Sequence, residues 1–238
     1  MTFLILQAGT PVAPLRRHGG FPHWIRVAAG LDADDAVAVD ITAKAPPSAE
    51  GFAGAIVTGS AAMVSHRDDW SERAAGWLRE AAGAGLPLFG ICYGHQLLAH
   101  ALDARVDDHP HGREMGTIQV EVLPAAAGDP LFDGMPDPFA AHATHLQTVL
   151  EPPPGATVLA RSAHDPCQAF RWGDAAWGVQ FHPEFSATHM RGYVHARRES
   201  LVAEGRDPLE VARSVTATPH ARRLMRRFIA VARQRPLR

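Results

Sequence analysis

Four short apolar runs, "FLILQA" at 3–8, "AVAVDI" at 36–41, "GAIVTG" at 54–59 and "LPLFGI" at 86–91, are set along the first part of the chain with helical patterns between them. Runs of this length without polar alternation suit strands buried on both faces, as in parallel sheets covered by helices. The spacing predicts helices at about 21–30 and 70–84, the second capped by Ser65 or Asp69. Strand and helix in alternation predict an α/β fold, a mostly parallel twisted sheet with helices on both faces and right-handed crossovers. From about 104 to 181 the texture changes to "GTIQVEVL", "TVLARS", "CQAFRW" and "AAWGVQF", separated by turn-formers, which reads as antiparallel strands added in the second half.

After residue 186 the pattern is helical to the end. Ala221, Leu224, Met225, Phe228, Ile229 and Ala232 fall at spacings of three and four, with Arg222, Arg223, Arg226, Arg227 and Arg233 on the opposite face. The expected organisation is one domain over 1–186 and a helical C-terminal extension over 187–238 packed on it. At 238 residues the chain can bury a sizeable core unaided. The arginine-rich end suggests nucleic acid, but a docked amphipathic helix with a solvated basic face explains the same residues, and the formal net charge is only -2. No nucleic-acid or membrane partner is expected.

Two cysteines, Cys92 and Cys167, cannot make a disulfide framework. The start "MTFLILQAGTPVAP" has no basic n-region, and no stretch reaches the roughly 18 apolar residues of a membrane span. A cytoplasmic location is expected.

Cys92 sits in "GICYGHQLL", between the apolar run "LPLFGI" and the helical pattern "GHQLLAHAL". Strand, sharp turn and helix are the context of a nucleophile elbow. Gly90 and Gly94 remove side chains where the chain reverses, and are expected to let a substrate carbonyl approach the sulfur. The N-terminus of the following helix favours thiolate, the nucleophilic form. Cys167, in "DPCQAF", has no such setting and is read as structural.

A thiol nucleophile needs a proton-transfer partner. Of the 14 histidines, His182 in "GVQFHPEFS" is the candidate, because Glu184 lies two residues on. Pro183 is expected to hold the chain extended, so that both side chains point the same way and the carboxylate orients the imidazole. "HPHGRE" at 109–114 reads as a polar loop rather than a metal site, since its two histidines have no companion cluster. His95 and His100 read as surface or capping residues. No metal and no cofactor are expected.

"GICYGHQ" and "VQFHPEFS", in this order and roughly 90 residues apart, resemble the two motifs of class I glutamine amidotransferases of the Cys-His-Glu kind, especially those that feed GMP synthesis. The resemblance covers about residues 3 to 186. It implies a flavodoxin-like α/β fold, with Cys92 as nucleophile, His182 as acid and base and Glu184 as its orienter. It further implies an oxyanion hole from the backbone N–H groups of Tyr93 and Gly59, and Gln96 as a holder of the substrate amide. "GREMGT" resembles a stretch beside the pocket. "THLQTV" resembles a segment near the substrate's amino-acid end, which makes Thr144 and Leu146 substrate-binding candidates.

Departures from the family pattern qualify this. Relatives carry two consecutive glycines where this chain has Thr58 and Gly59, and His-Gly-Asp where it has His145, Leu146 and Gln147. The implied activity is hydrolysis of the γ-amide of glutamine, with ammonia either passing to a separate synthase subunit or simply being released. A γ-glutamyl peptidase or hydrolase acting on a peptide or conjugate is the alternative, since the same triad serves a larger leaving amine.

Overall fold

In a computed structural model that describes residues 1–235, the chain alternates strand and helix and then turns to strands alone. The order is β1 (Thr2–Gln7), α1 (Phe21–Ala29), β2 (Ala36–Asp40), β3 (Phe52–Val57), α2 (Asp69–Gly83), β4 (Leu88–Ile91) and α3 (Tyr93–Ala101). Strands β5 (Arg105–Asp108), β6 (Glu114–Val122), β7 (Phe139–His145), β8 (Gln147–Glu151), β9 (Thr157–Arg161), β10 (Ala169–Trp172) and β11 (Ala176–Val179) follow. Four helices close it: α4 (Ala187–Ala196), α5 (Arg198–Ala203), α6 (Pro208–Arg213) and α7 (Pro219–Arg233). The end of the expected extension, residues 236–238, lies outside the described residues.

Nine strands make one sheet in the order β2-β1-β3-β4-β11-β10-β9-β6-β7, and β5 pairs with β8 in a separate ribbon. The half from β2 to β11 is parallel, and the half from β11 to β7 is antiparallel. Two expectations need correction. Strand β2 is the sheet's edge and is half exposed rather than buried on both faces, Val37 being 48% exposed, because only β1 pairs with it. Strand β11, expected among the antiparallel set, lies parallel against β4 in the middle of the sheet, with Gly178 opposite Gly90 and Val179 opposite Ile91.

The pleat divides the core. Phe3 and Ile5 face a layer containing α1 and α7, while Leu4 and Leu6 face α2 and α3. The apolar stripe of α7 is wholly buried on the sheet, with Phe228 5.2 Å from Phe89 between ring centres. Burying one such side chain contributes about 1.5–3 kcal/mol, so the stripe is reason enough for the helix to dock. The N-cap of α2 is Asp68, neither of the two expected residues, and it makes no side-chain cap bond. Ser65 instead exchanges hydrogen bonds with the Gln147 side chain, donating its N–H to Oε1 and accepting from Nε2. A third cluster, including Phe21, Trp24, Phe185, Met190, Tyr193 and Leu201, fastens α4 and α5 to α1 and to the end of β11's connection. Among the described residues no helix is long and apolar enough to cross a membrane.

Candidate active site

Strands β3, β4 and β11 are parallel neighbours, so their carboxyl ends open on the same rim. The residues just beyond those ends are Gly59, Cys92 and His182. Ligands of open α/β sheets bind along such rims.

Between β4 and α3, Cys92 has φ 52° and ψ -103°, a conformation that L residues avoid. The turn is held from both sides: Cys92 N–H donates to Val179 O at 2.9 Å, and Gln96 N–H donates to Cys92 O at 3.0 Å. The glycines around it do the first of the two things expected of them, removing side chains that would clash where the chain reverses. A Cβ on Gly94 would strike the Val57 carbonyl, and one on Gly90 would strike the Gly94 carbonyl and His95 N. They let α3 lie close on β3 and β4. Tyr93 is the first residue of α3, so its N–H is among those no helical carbonyl can satisfy. Its side chain points away, with its hydroxyl 2.6 Å from Ser71 Oγ.

His182 follows β11 and is pinned by its own N–H, which donates to His142 O at 2.7 Å. Residues 182–185 form a turn, closed by Phe185 N–H donating to His182 O at 3.3 Å, rather than the expected extended segment. The fixed φ of Pro183 suits the second position of such a turn. The consequence is the expected one by another route: His182 Nδ1 lies 2.8 Å from Glu184 Oε1. Phe185 stacks on the imidazole at 4.1 Å between centres. His182 Nε2 and Glu184 Oε2 have no hydrogen-bond partner among the described residues.

Gly59 brings the pieces together. A Cβ there would sit 3.0 Å from His182 Cε1 and 3.9 Å from Cys92 Cβ, so imidazole and thiol share the space before the Gly59 backbone. Thr58 fixes that backbone, its hydroxyl donating to Gly59 O and accepting from Ala8 N–H. Burial would raise the Cys92 pKa, but His182 beside it, with help from His145, brings it below the ordinary thiol value. Burial would lower His182, yet Glu184 and Cys92 raise it above the ordinary imidazole range. The pair thus favours thiolate and imidazolium. Cys167 is the opposite case, a buried thiol pushed well up by burial and Asp165.

A cavity of about 300 Å³ opens over Cys92 and His182, and Gln96, Thr144 and Leu146 also line it. Gln96 Nε2 donates to Gln147 O at 2.6 Å and to Gln180 Oε1 at 2.9 Å, so its carbonyl oxygen is the end left to accept. Gln147, where relatives have aspartate, is tied to Ser65 and Asp108.

Sequence reasoning passed over several cavity residues. His145 lies on the floor, its Nδ1 3.0 Å from Gln147 O and its Nε2 2.9 Å from Glu114 Oε2. Tyr193 and Arg197 reach the cavity from α4 and its end, inside the expected C-terminal extension, and Arg113 reaches it from the residue before β6. The stretch "GREMGT" was a pointer to Arg113 and Glu114; nothing in the sequence paired Glu114 with His145. His95, expected as a surface or capping residue, is fully buried against Gly178 and Phe170, and burial pushes its pKa down to about 3. His100 is partly exposed, 3.0 Å from Glu72. His109, His111 and His164 cluster at the rings, yet among the described residues no group of metal-ligating side chains is arranged to hold an ion.

The family model described as "Glutamine amidotransferase class-I" matches residues 34–198. A GMP synthase [glutamine-hydrolyzing] of Aeropyrum pernix is 36% identical over 171 residues, 72% of this chain and 31% of that protein. The enzyme of the same name from Thermomicrobium roseum is 41% identical over 137 residues, 58% of this chain and 24% of that protein. The chain therefore spans a quarter to a third of the length of these relatives. A crystal structure of a glutamine amidotransferase from Thermotoga maritima superposes with TM-score 0.76 at 21% identity, covering 97% of both chains. One from Methylobacillus flagellatus gives 0.73 at 23% identity, covering 96% of this chain and 94% of that one.

Proposed function

The chain belongs to the class-I glutamine amidotransferases, and from that premise we propose that it hydrolyses the γ-amide of glutamine through a thioester on Cys92. The observation that carries this is the meeting, at the ends of three adjacent parallel strands, of a strained cysteine with an imidazole whose far nitrogen is held by a buried carboxylate.

The thiolate of Cys92 attacks the amide carbon, and the oxyanion is received by the N–H groups of Tyr93 and Gly59. Fixed donors of this kind favour the tetrahedral species over the planar amide. His182 gives its Nε2 proton to the departing nitrogen, the C–N bond breaks, and ammonia leaves. His182 then takes a proton from water, which attacks the thioester carbon; the C–S bond breaks and glutamate departs. Glu184 keeps Nδ1 protonated throughout. Gln96 Oε1 accepts from the substrate amide, and Thr144 and Leu146 flank the substrate. Ammonia passes to an acceptor held by a synthase partner, a reading supported by the glutamine-hydrolysing GMP synthases the chain resembles. Nothing in the cavity specifically favours the γ-glutamyl peptidase reading.

Incubation with glutamine, followed by mass spectrometry and an ammonia assay, tests this. The expected result is a γ-glutamyl adduct on Cys92 and ammonia release lost in Cys92→Ala. Equal release by both proteins refutes the assignment, and an adduct from γ-glutamyl dipeptides alone moves it to the peptidase reading.

A further inference from the structure

The cavity over Cys92 has a one-sided charge. Arg16, Arg113 and Arg197 line it together with His145 and His182, while no aspartate or glutamate does among the described residues. Three of the nearby carboxylates stand behind cations, Glu184 behind His182, Glu114 behind His145 and Glu204 behind Arg113 at 3.0 Å, while Asp108 stands behind the Gln147 amide. His145 must itself carry two ring hydrogens to serve a carbonyl oxygen at Nδ1 and a carboxylate at Nε2, which makes it an imidazolium.

Two of the arginines are set by the C-terminal helices. Arg197 ends α4, and its guanidinium has no ion-pair or hydrogen-bond partner among the described residues. Arg113 is held by Glu204, and the backbone it hangs from is clamped by Arg206, which donates to Arg113 O at 3.3 Å and Met115 O at 2.8 Å. A guanidinium freed of protein acceptors at a cavity wall is a ready partner for a carboxylate. Meanwhile the position where relatives carry aspartate holds Gln147, whose amide is spent on Ser65 and Asp108.

We propose that Arg113 and Arg197 grip the α-carboxylate of the glutamine whose amide lies at Cys92, and that this grip on an anion, with no carboxylate for the α-ammonium group, selects the substrate. The C-terminal helices are then part of the binding site. This rests on glutamine being the substrate.

Cys92→Ala protein, which binds without turnover, is titrated calorimetrically with L-glutamine, L-glutamine α-amide and glutaramate, the analogue lacking the amino group. Glutaramate is expected to bind about as well as glutamine, and the α-amide about tenfold or more weaker, as loss of a charge-assisted contact predicts. In Cys92→Ala with Arg197→Gln, glutamine is expected to fall to the level of the α-amide while the α-amide is unchanged; Arg197→Lys recovers part of the preference. Equal affinity of the intact pocket for glutamine and its α-amide overturns the proposal without any arginine variant, and leaves glutamine as substrate. A large loss with glutaramate overturns the claim about the ammonium group. Absence of glutamine binding altogether counts against the substrate itself.

Discussion

Two buried histidine–glutamate pairs border the same cavity at nearly the same distance, 2.8 Å for His182–Glu184 and 2.9 Å for His145–Glu114, and they are built for opposite ends. Among the described residues His182 has one ring nitrogen held and the other open toward the thiol, and Glu184 likewise has one oxygen unpaired. His145 has both nitrogens occupied, and Glu114 is further saturated by donors from Ser162 Oγ and Gln168 Nε2. A proton can move only where a lone pair or a hydrogen is left uncommitted. The first pair is therefore suited to chemistry, and the second to holding a fixed positive charge and a fixed backbone.

The sharpest way to separate them is Glu184→Gln, which keeps the shape and removes the charge. Glutamine turnover is expected to fall on the order of 10³-fold or more, because the imidazolium and its tautomer lose their support, and loss of less than tenfold would place Glu184 among structural residues. Glu114→Ala reverses the emphasis. It takes from His145 its hydrogen-bonded counter-ion and leaves only Asp165, 3.9 Å away, and a cost of about 3 kcal/mol in unfolding free energy is expected from denaturant titration.

That stability should also follow pH in a definite way. Burial disfavours charge on both partners, but Glu114 raises His145 above the ordinary imidazole range and His145 holds Glu114 below the ordinary carboxylate range. The histidine's contribution is full below its unfolded value, near ~6.5, and is lost as pH climbs through the raised folded value. The glutamate's is full above its unfolded value, near ~4.3, and is lost as pH falls through the lowered one. The difference between wild type and Glu114→Ala should accordingly be largest between those two limits.

His95 supplies the third case, a buried imidazole with neither ring nitrogen partnered among the described residues. With its folded pKa pushed down to about 3 by burial, the unfolded chain takes up its proton first. Stability is lost as pH drops from ~6.5 toward that value, at about 1.4 kcal/mol per pH unit for the one group. His95→Leu should move the acid-unfolding midpoint, followed by circular dichroism, to lower pH; an unmoved midpoint would show that His95 does not titrate in the transition. His142 and His189, both pushed down to about 4 by burial, keep the variant from becoming acid-proof.

Of the fold, the buried strands and the α7 stripe were legible because period and composition are local properties of the chain. The edge position of β2 was not, since an edge differs from a centre only in having one neighbour. At the site, Cys92 announced itself by strand, turn and helix, and His182 by its closeness to Glu184, although the turn at Pro183 rather than an extended segment unites that pair. His145 and Glu114 lie 31 residues apart in sequence and meet only because β6 and β7 pair with Glu114 opposite His145.

The sequence by itself determined the family and singled out the residues proposed to carry the chemistry, the elbow cysteine and the histidine with its glutamate, all written in motifs a few residues long. Only the tertiary structure decided that β11 lies beside β4, that among the described residues cations and no carboxylate line the cavity, and that helices after residue 186 supply part of its wall. Register and charge geometry depend on neighbours brought together by burial of the whole sheet, and no local pattern encodes which neighbours those will be.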